Sequence, residues 1–352
     1  MGMWVKTKSS HYFYSGFTVV ELLVVIVVIG ILAAITVVSY NGITNRAVVA
    51  SLQSDLNNAS TQLKLFNIDN SAYPITISTD CSTNPDSDTN KCLVASSDTT
   101  YAYQPSVSNN NIYCLEATKS SISYNITQDG QVLAGPCPVI NLDAGNSLSY
   151  PGSGTTWYDL SGNDNDGTMY GSVAYSSVDN SMSFDRVDDY VDTGVSPSSI
   201  TPIFSGSFWV SRTGTPSDDN DIPNRILTAR KGASSTLWAV GIGGSNQLRV
   251  MAYNGSAHVY KSGSIMNENT IYNIQFSYDD SALRLYKNGV LDIELTVSIP
   301  DLSYQTVIIG DLDTGNRSLW SGKIYSAQLV DYALNNQEIL YNYDSMKARY
   351  GL

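Results

Sequence analysis

From Leu22 to Val38 the chain is an apolar run of Ala, Val, Ile and Leu, interrupted only by Gly30 and Thr36. Wound as an α-helix at about 1.5 Å per residue, the stretch from Phe17 to Tyr40 covers a bilayer core of roughly 30 Å. A segment of this kind must enter lipid or pack against others like it. Glu21 stands near its start, and a carboxylate at bilayer depth costs on the order of 2–3 kcal/mol, so it needs a partner or a purpose. Ahead of the run lies a polar leader that contains Lys6 and Lys8 and no acidic residue. The basic side stays cytoplasmic, which places everything after Tyr40 outside. In an ordinary secretory signal, cleavage follows an apolar stretch of roughly 7–15 residues. Here the small residue suited to cleavage, Gly16, comes before the apolar run.

Gly16, Phe17, Thr18 and Glu21, followed by the helix through Ile29-Gly30-Ile31-Leu32-Ala33-Ala34-Ile35, resemble the class III signal of type IV prepilins. The resemblance implies cleavage between Gly16 and Phe17 by a prepilin peptidase, N-methylation of Phe17, and delivery to an inner-membrane assembly machinery. It also implies that the helix persists as a fibre core among other pilin subunits, with Glu21 facing the ammonium of a neighbour's Phe17. One departure is Val38, where many major pilins carry a proline; Asn41-Gly42 supply a weak point instead, since both lower helix propensity.

The 352 residues carry a net charge of −13, and only 14% of them are charged. No basic cluster lies beyond the apolar run, so the electrostatic footprint of a nucleic-acid-binding surface is missing. From Asn45 the pattern changes. Val48, Leu52, Leu56, Ala59, Leu63 and Phe66 recur at steps of three and four and form one amphipathic face, with Asp55, Asn57, Asn58 and Lys64 off it. Tyr73-Pro74 ends the helix. All four cysteines follow: Cys81, Cys92, Cys114 and Cys137. Their spacing does not fit a zinc site, and an exterior location permits disulfides. Four cysteines allow three connectivities; chain order favours Cys81–Cys92 and Cys114–Cys137. Short strands are expected over 101–107, 112–119, 121–127 and 131–133. A long helix followed by a small antiparallel sheet resembles the globular head of a type IV pilin.

Gly135-Pro136-Cys137-Pro138 marks a stiff boundary. Beyond it the chain reads as many short strands with turn signals and no long helix, the pattern of an all-β sandwich. Asn254-Gly255 and Asn288-Gly289 are expected hairpin turns, because Asn-Gly accepts the positive φ that a two-residue turn needs. Four stretches in order resemble the laminin-G-like branch of the concanavalin-A-like jelly rolls: Trp157 to Thr168, Met182 to Val191, Leu285 to Gly289, and Gly322 to Ile339. The expected architecture is therefore multidomain, α+β then all-β. It comprises a leader (1–16), a transmembrane pilin helix (17–40), a pilin head (41–138) and a jelly-roll β-sandwich (139–352). The second resemblance implies binding of a carbohydrate or surface protein, and sometimes a calcium ion at the sandwich rim.

Chemistry finds little raw material. Glucanases of this fold need Glu-x-Asp-x-Glu on one strand face; here Asp292-Ile293-Glu294 is preceded by Val290 where the first Glu should stand. His258 is the sandwich's lone histidine, with no nucleophile pattern around it. No catalytic residues and no enzyme activity are expected, and no cofactor is required. Calcium is the one ion that the carboxylates suggest, with Asp185, Asp311 and Asp313 as candidate ligands. Trp157 and Trp320 are candidates for stacking on a sugar ring. The function these features imply is a minor type IV pilin, membrane-anchored as a prepilin and then carried at a fibre's surface or tip, displaying a lectin-like adhesion domain. The rivals are a pseudopilin of a type II secretion or DNA-uptake machine and a fibre-tethered glycan hydrolase. If the leader is read correctly, N-terminal sequencing of the mature protein will begin at Phe17, and replacing Gly16 by a bulky residue will leave a full-length precursor.

Overall fold

The computed structural model describes residues 18–79, 81, 92–195, 202–214, 224–231, 235–300, 306–310 and 319–352. Helix α1 runs from Val19 to Asn70. Its N-terminus is closed by a reciprocal pair: the Glu21 carboxylate accepts from the Thr18 amide (2.8 Å) and hydroxyl (2.7 Å), and the Glu21 amide donates to Thr18 Oγ1 (3.2 Å). Thr-x-x-Glu is thus a capping box that satisfies orphan amides of the first turn. Among the described residues no helix is long and apolar enough to cross a membrane.

The chain divides into two compact units, one ending at Val49 and the other running from Ala50 to Leu352. In the second unit, Leu52, Leu56, Ala59, Leu63 and Phe66 are buried along one face of α1, as the stripe requires. The head sheet is antiparallel, with β1 (Thr100–Pro105), β2 (Tyr113–Lys119), β3 (Ile122–Thr127) and β4 (Val132–Ala134) in sequential order. Ser60 Oγ lies 3.0 Å from Tyr113 Oη, and Tyr101 Oη donates to the Asp55 carbonyl. Asp55, expected off the buried face, is buried. Its carboxylate accepts from the Ser96 amide and hydroxyl, which pins the 92–99 segment to the helix. The disulfides are Cys81–Cys92 and Cys114–Cys137, the pairing that chain order favours.

The sandwich begins with β5 (Ile140–Asp143), β6 (Thr156–Trp157), β7 (Gly167–Tyr170), β8 (Ala174–Ser176), β9 (Ser181–Asp185) and β10 (Tyr190–Asp192). It continues with β11 (Phe204–Arg212), β12 (Asn224–Lys231), β13 (Ser235–Ile242), β14 (Gln247–Tyr253) and β15 (His258–Ile265). The last strands are β16 (Tyr272–Tyr278), β17 (Ala282–Lys287), β18 (Val290–Thr296), β19 (Thr306–Ile309) and β20 (Ser321–Val330). One sheet has the order β15-β14-β13-β12-β19-β10-β7-β6; the other has β18-β17-β16-β11-β20-β9-β8, with β5 also paired to β20. All these pairs are antiparallel and form a jelly-roll-like sandwich. Its core stacks Phe204 on Trp238 at 4.9 Å and sets Phe204 edge-on to Phe276. Gly206 is required here, because a Cβ would meet the Phe276 ring at 2.4 Å. Asn288-Gly289 joins β17 to β18 with φ of +52° and +77°, a two-residue turn as expected. Asn254-Gly255 instead opens a four-residue loop, whose Ser256 and Ala257 amides donate to Asn254 Oδ1.

The chain ends in a helix that composition does not advertise. Helix α2 spans Asn336–Met346 and is followed by a 3-10 turn, Lys347–Tyr350; Asn335 and Glu338 make a capping box at its start. This helix lies against the head: Asn342 Oδ1 accepts from the Ala134 amide (2.7 Å) and Nδ2 donates to the Ala134 carbonyl (3.2 Å). The side-chain amide stands in for a fifth strand at the otherwise open edge of β4. Tyr341 sets its ring edge-on to Tyr124 at 5.2 Å. Head and sandwich, expected as separate domains joined at 138/139, fall within one compact unit.

Asn342→Ala leaves both Ala134 groups unpaired and should cost about 1–3 kcal/mol. Tyr341→Phe removes a hydroxyl that reaches the Val132 carbonyl at a long 3.4 Å and also bonds the Ser345 and Gln53 side chains, and should cost on the order of 1 kcal/mol. Urea unfolding of the full chain in detergent will compare the two.

Candidate functional site

Strand pairing fixes which side chains reach the outer face of the β11-β20-β5 region. Ser207 pairs with Gln328 and Gln328 with Asn141; Trp209 pairs with Ser326 and Ser326 with Asp143. Strands alternate faces, so these six share one side, while Phe208, Ala327 and Leu142 point into the core. A register shift in β20 follows directly after the Trp209 pair. Over this polar patch stand β3 and β4 of the head and the end of α2, enclosing a cavity of about 500 Å³.

Two charged contacts organise the cavity wall. Arg349 forks onto Asp143, with Nη1 to Oδ2 at 2.5 Å and Nη2 to Oδ1 at 2.6 Å. That pairing raises the guanidinium's pKa further, so it stays charged. Asp129 lies opposite and accepts from Asn146 Nδ2 at 2.7 Å. Although solvent reaches it, the surrounding protein atoms and then the Asp143 charge push its pKa up. Trp209 is buried beneath Tyr350, ring centroids 4.0 Å apart, and burial pushes the Tyr350 phenol up to about 12.

A second junction lies at the other side of the head. Asp164, at φ +58°, accepts from the hydroxyls of Ser106 (2.5 Å) and Ser108 (2.7 Å) and from the amides of Val107 and Ser108. Burial alone would raise its pKa, yet these donors outweigh burial and hold it below the ordinary carboxylate range. The loop that carries Asp164 is organised by Asp159. This 2%-exposed carboxylate accepts from the amides of Asn141, Ser161 and Asn165 and from Ser161 Oγ.

The residues singled out from sequence distribute unevenly. Gly16, Phe17, Asp311 and Asp313 lie outside the described residues. Trp157 and Trp320 are fully buried members of the sandwich core and offer no face to a sugar; the expectation that they stack on a ligand is corrected. Asp185 does approach other carboxylates, those of Asp188 and Asp189, within 4.8 Å. Both Asp189 oxygens are engaged by the Ser172 and Asp185 amides, and Asp185 Oδ1 accepts from the Val187 amide. The group as it stands braces a turn. Asp292 accepts from the Ser264 amide, and Glu294 pairs with Arg284, which also holds Asp279. The cavity residues were missed because they come from seven elements and the loops between them, spread from position 125 to 349. Only the polar alternation along β20 and β5 could have hinted at them.

A pilin-like leader helix joined to a lectin-type sandwich defines the class, and comparison with known proteins agrees. The model of the prokaryotic N-terminal methylation motif matches residues 14–37, and that of the concanavalin A-like lectin/glucanases superfamily matches residues 185–340. The chain therefore carries a type IV pilin-like N-terminus and a concanavalin-A-like, laminin-G-type domain. Type II secretion system core protein G of Pseudomonas aeruginosa is 39% identical over 62 residues, 18% of this chain and 44% of that protein. The protein of the same name from Dickeya chrysanthemi is 39% identical over 61 residues, 17% of this chain and 40% of that protein. The chain thus spans less than half the length of these curated relatives. Among solved structures, Trypanosoma rangeli sialidase in complex with sialic acid aligns with a TM-score of 0.50 and 11% identity, covering 71% of this chain and 53% of that one. The binding domain of botulinum neurotoxin DC in complex with rat synaptotagmin II aligns at 0.45 and 15%, covering 60% and 52%. At such identities the likeness concerns the fold alone.

Burial pushes the Asp159 carboxyl up to about 6 from 3.8, in spite of its four donors. The folded chain then holds this proton more tightly than the unfolded chain. Stability from this group is present below pH 4 and is lost as pH rises through 6, by on the order of 2–3 kcal/mol. Asp159→Asn should flatten that slope while lowering stability overall, as read by urea unfolding at pH 4.5 and 7.5.

Proposed function

We propose that this chain is a minor type IV pilin that displays its lectin-like sandwich on a surface fibre for adhesion. In this reading the leader is removed at Gly16, the helix from Phe17 to Tyr40 anchors the prepilin in the cytoplasmic membrane, and the same helix later packs among other pilin subunits. The observation that carries the reading is the union of an N-terminal methylation motif with a sandwich that α2 fastens directly to the head sheet. A binding module held in this way transmits load to the fibre without a flexible hinge, which suits adhesion. The size of the sandwich argues for a sparse subunit, since every copy in a densely repeating shaft must fit beside its neighbours. Glu21, satisfied within its own chain by Thr18, can exchange those bonds for a neighbour's terminal ammonium on assembly.

A second reading, a pseudopilin of a secretion machine, is favoured by the likeness of the N-terminal region to two type II secretion system core proteins. Catalysis finds less support: Glu294 is tied to Arg284, which also holds Asp279, and Asp292 is tied to a backbone amide. The readings separate by fractionation in a host with the assembly machinery. The pilin reading expects the chain in sheared surface fibres, with Glu21→Ala reducing its incorporation but not its membrane insertion. Retention in the envelope, with loss of exoprotein secretion on deletion, would establish the pseudopilin instead. Hydrolysis of a glycan by the purified chain, abolished in Glu294→Gln, would establish the enzyme.

A further inference from the structure

The cavity between head, sandwich and C-terminal helix has a composition that sets it apart from an ordinary small-molecule pocket. Such pockets are mostly apolar with a few placed polar groups. This one is lined by seven side-chain amides and five hydroxyls against three apolar side chains. Each amide offers a donor and an acceptor in one plane, and each hydroxyl does both jobs. The ligand that matches is one whose own surface is dense in groups that both donate and accept, which is the chemistry of vicinal sugar hydroxyls. A volume of about 500 Å³ is within the range of pockets that enclose small ligands.

Charge narrows the class. Arg349 is already committed to Asp143 through both terminal nitrogens, and the Lys64 ammonium stands beside Gly130 within range of Asp129, so the positive and negative charges around the wall balance. Asp129 adds a carboxylate whose pKa is pushed up first by burial and then by the Asp143 charge, with Arg349 and Lys64 opposing. A sialylated or sulfated glycan would add negative charge to a wall whose charges are already balanced. A neutral one would not. An unmet acceptor points the same way. Asn125 lines the cavity at 1% exposure and spends its Nδ2 on the Gly135 and Pro136 carbonyls, while its Oδ1 has no hydrogen-bond partner. A buried acceptor left unpaired costs about 1–3 kcal/mol; Oδ1 is closed to solvent as it stands, so a ligand hydroxyl would relieve that cost only once the Asn125 side chain opens toward the cavity.

We propose that this junction is a binding site for a neutral saccharide, built jointly by the head sheet, the outer face of the sandwich and the C-terminal helix. The proposal rests on the reading of the chain as a glycan-binding fibre subunit and assigns the place where binding occurs. Gln328 is half-buried on the outer face of β20 and makes none of the contacts that fasten α2 to the head, so it can be changed without loosening the fold. Full-length protein in detergent is titrated with a panel of neutral di- and trisaccharides and their sialylated or sulfated counterparts. Melting temperature is followed for each variant. Binding of a neutral saccharide, weakened at least about 10-fold in Gln328→Trp and in Gln328→Ala at unchanged melting temperature, is the expected result. Tyr170→Ala, which removes one ring of the exposed Tyr170–Tyr190 stack on the opposite sheet, should bind like the parent chain. Saccharide binding that survives Gln328→Trp but fails in Tyr170→Ala would overturn the junction site and leave the lectin-like reading standing. Preference for the anionic glycans would overturn the neutral class. Absence of binding to any glycan in the panel would overturn both the site and the reading on which it rests.

Discussion

The Asn342 side chain closes a strand edge that no strand of the head covers. β4 is three residues long and ends the head sheet, and its Ala134 amide and carbonyl would otherwise be a template for pairing with another chain. A helix some two hundred residues downstream presents one amide at the right distance to satisfy both groups. Three consequences follow from that contact. The head becomes a finished sheet, α2 is fixed in orientation, and the polar outer face of β11, β20 and β5 is roofed instead of lying open. The Asp143–Arg349 fork then ties the final turn of the chain back to the sandwich. A bidentate pair at 2.5–2.6 Å with one partner largely buried is stronger than a surface ion pair.

The second junction works by different physics. Asp164 occupies a left-handed conformation that asparagine and aspartate tolerate better than most residues, and its carboxylate collects hydroxyl and amide donors from the 106–108 turn. Asp159 holds the loop that delivers it. The two aspartates pull in opposite directions with pH. One is kept ionised by donors, the other is pushed toward its neutral form by burial, and they are five residues apart.

How much of this could be read from the chain depends on the range of the interaction. The helix stripe from Leu52 to Phe66, the Asn288-Gly289 turn and the disulfide pairing are local or nearly local, and the residues announce them. The Thr18–Glu21 capping box was equally local. The apolar run directed attention to a membrane partner for Glu21, so the nearer partner was overlooked. Asp55 looked solvated because helix periodicity records only the hydrophobic face and cannot say which loop will fold over its edge. Trp157 and Trp320 looked able to serve as ligand platforms, but the depth of a two-sheet core is decided by which strands cover which, and both rings lie inside. The cavity was hidden for the same reason. Its polar residues are ordinary outward-facing strand positions until the head and α2 are placed above them.

The order in which the chain emerges gives the Asn342–Ala134 contact a temporal meaning. A polypeptide made and exported from its N-terminus presents the head sheet long before residue 342 exists outside. Throughout that interval β4 has a bare edge, and it stays bare in any product that stops short of α2. Completion of the head sheet thus waits on α2, a contact of very long range that slows folding because its loop must close before it contributes. Only a chain that extends through α2 can hide the edge, so the head sheet is closed by a segment that follows it by some two hundred residues.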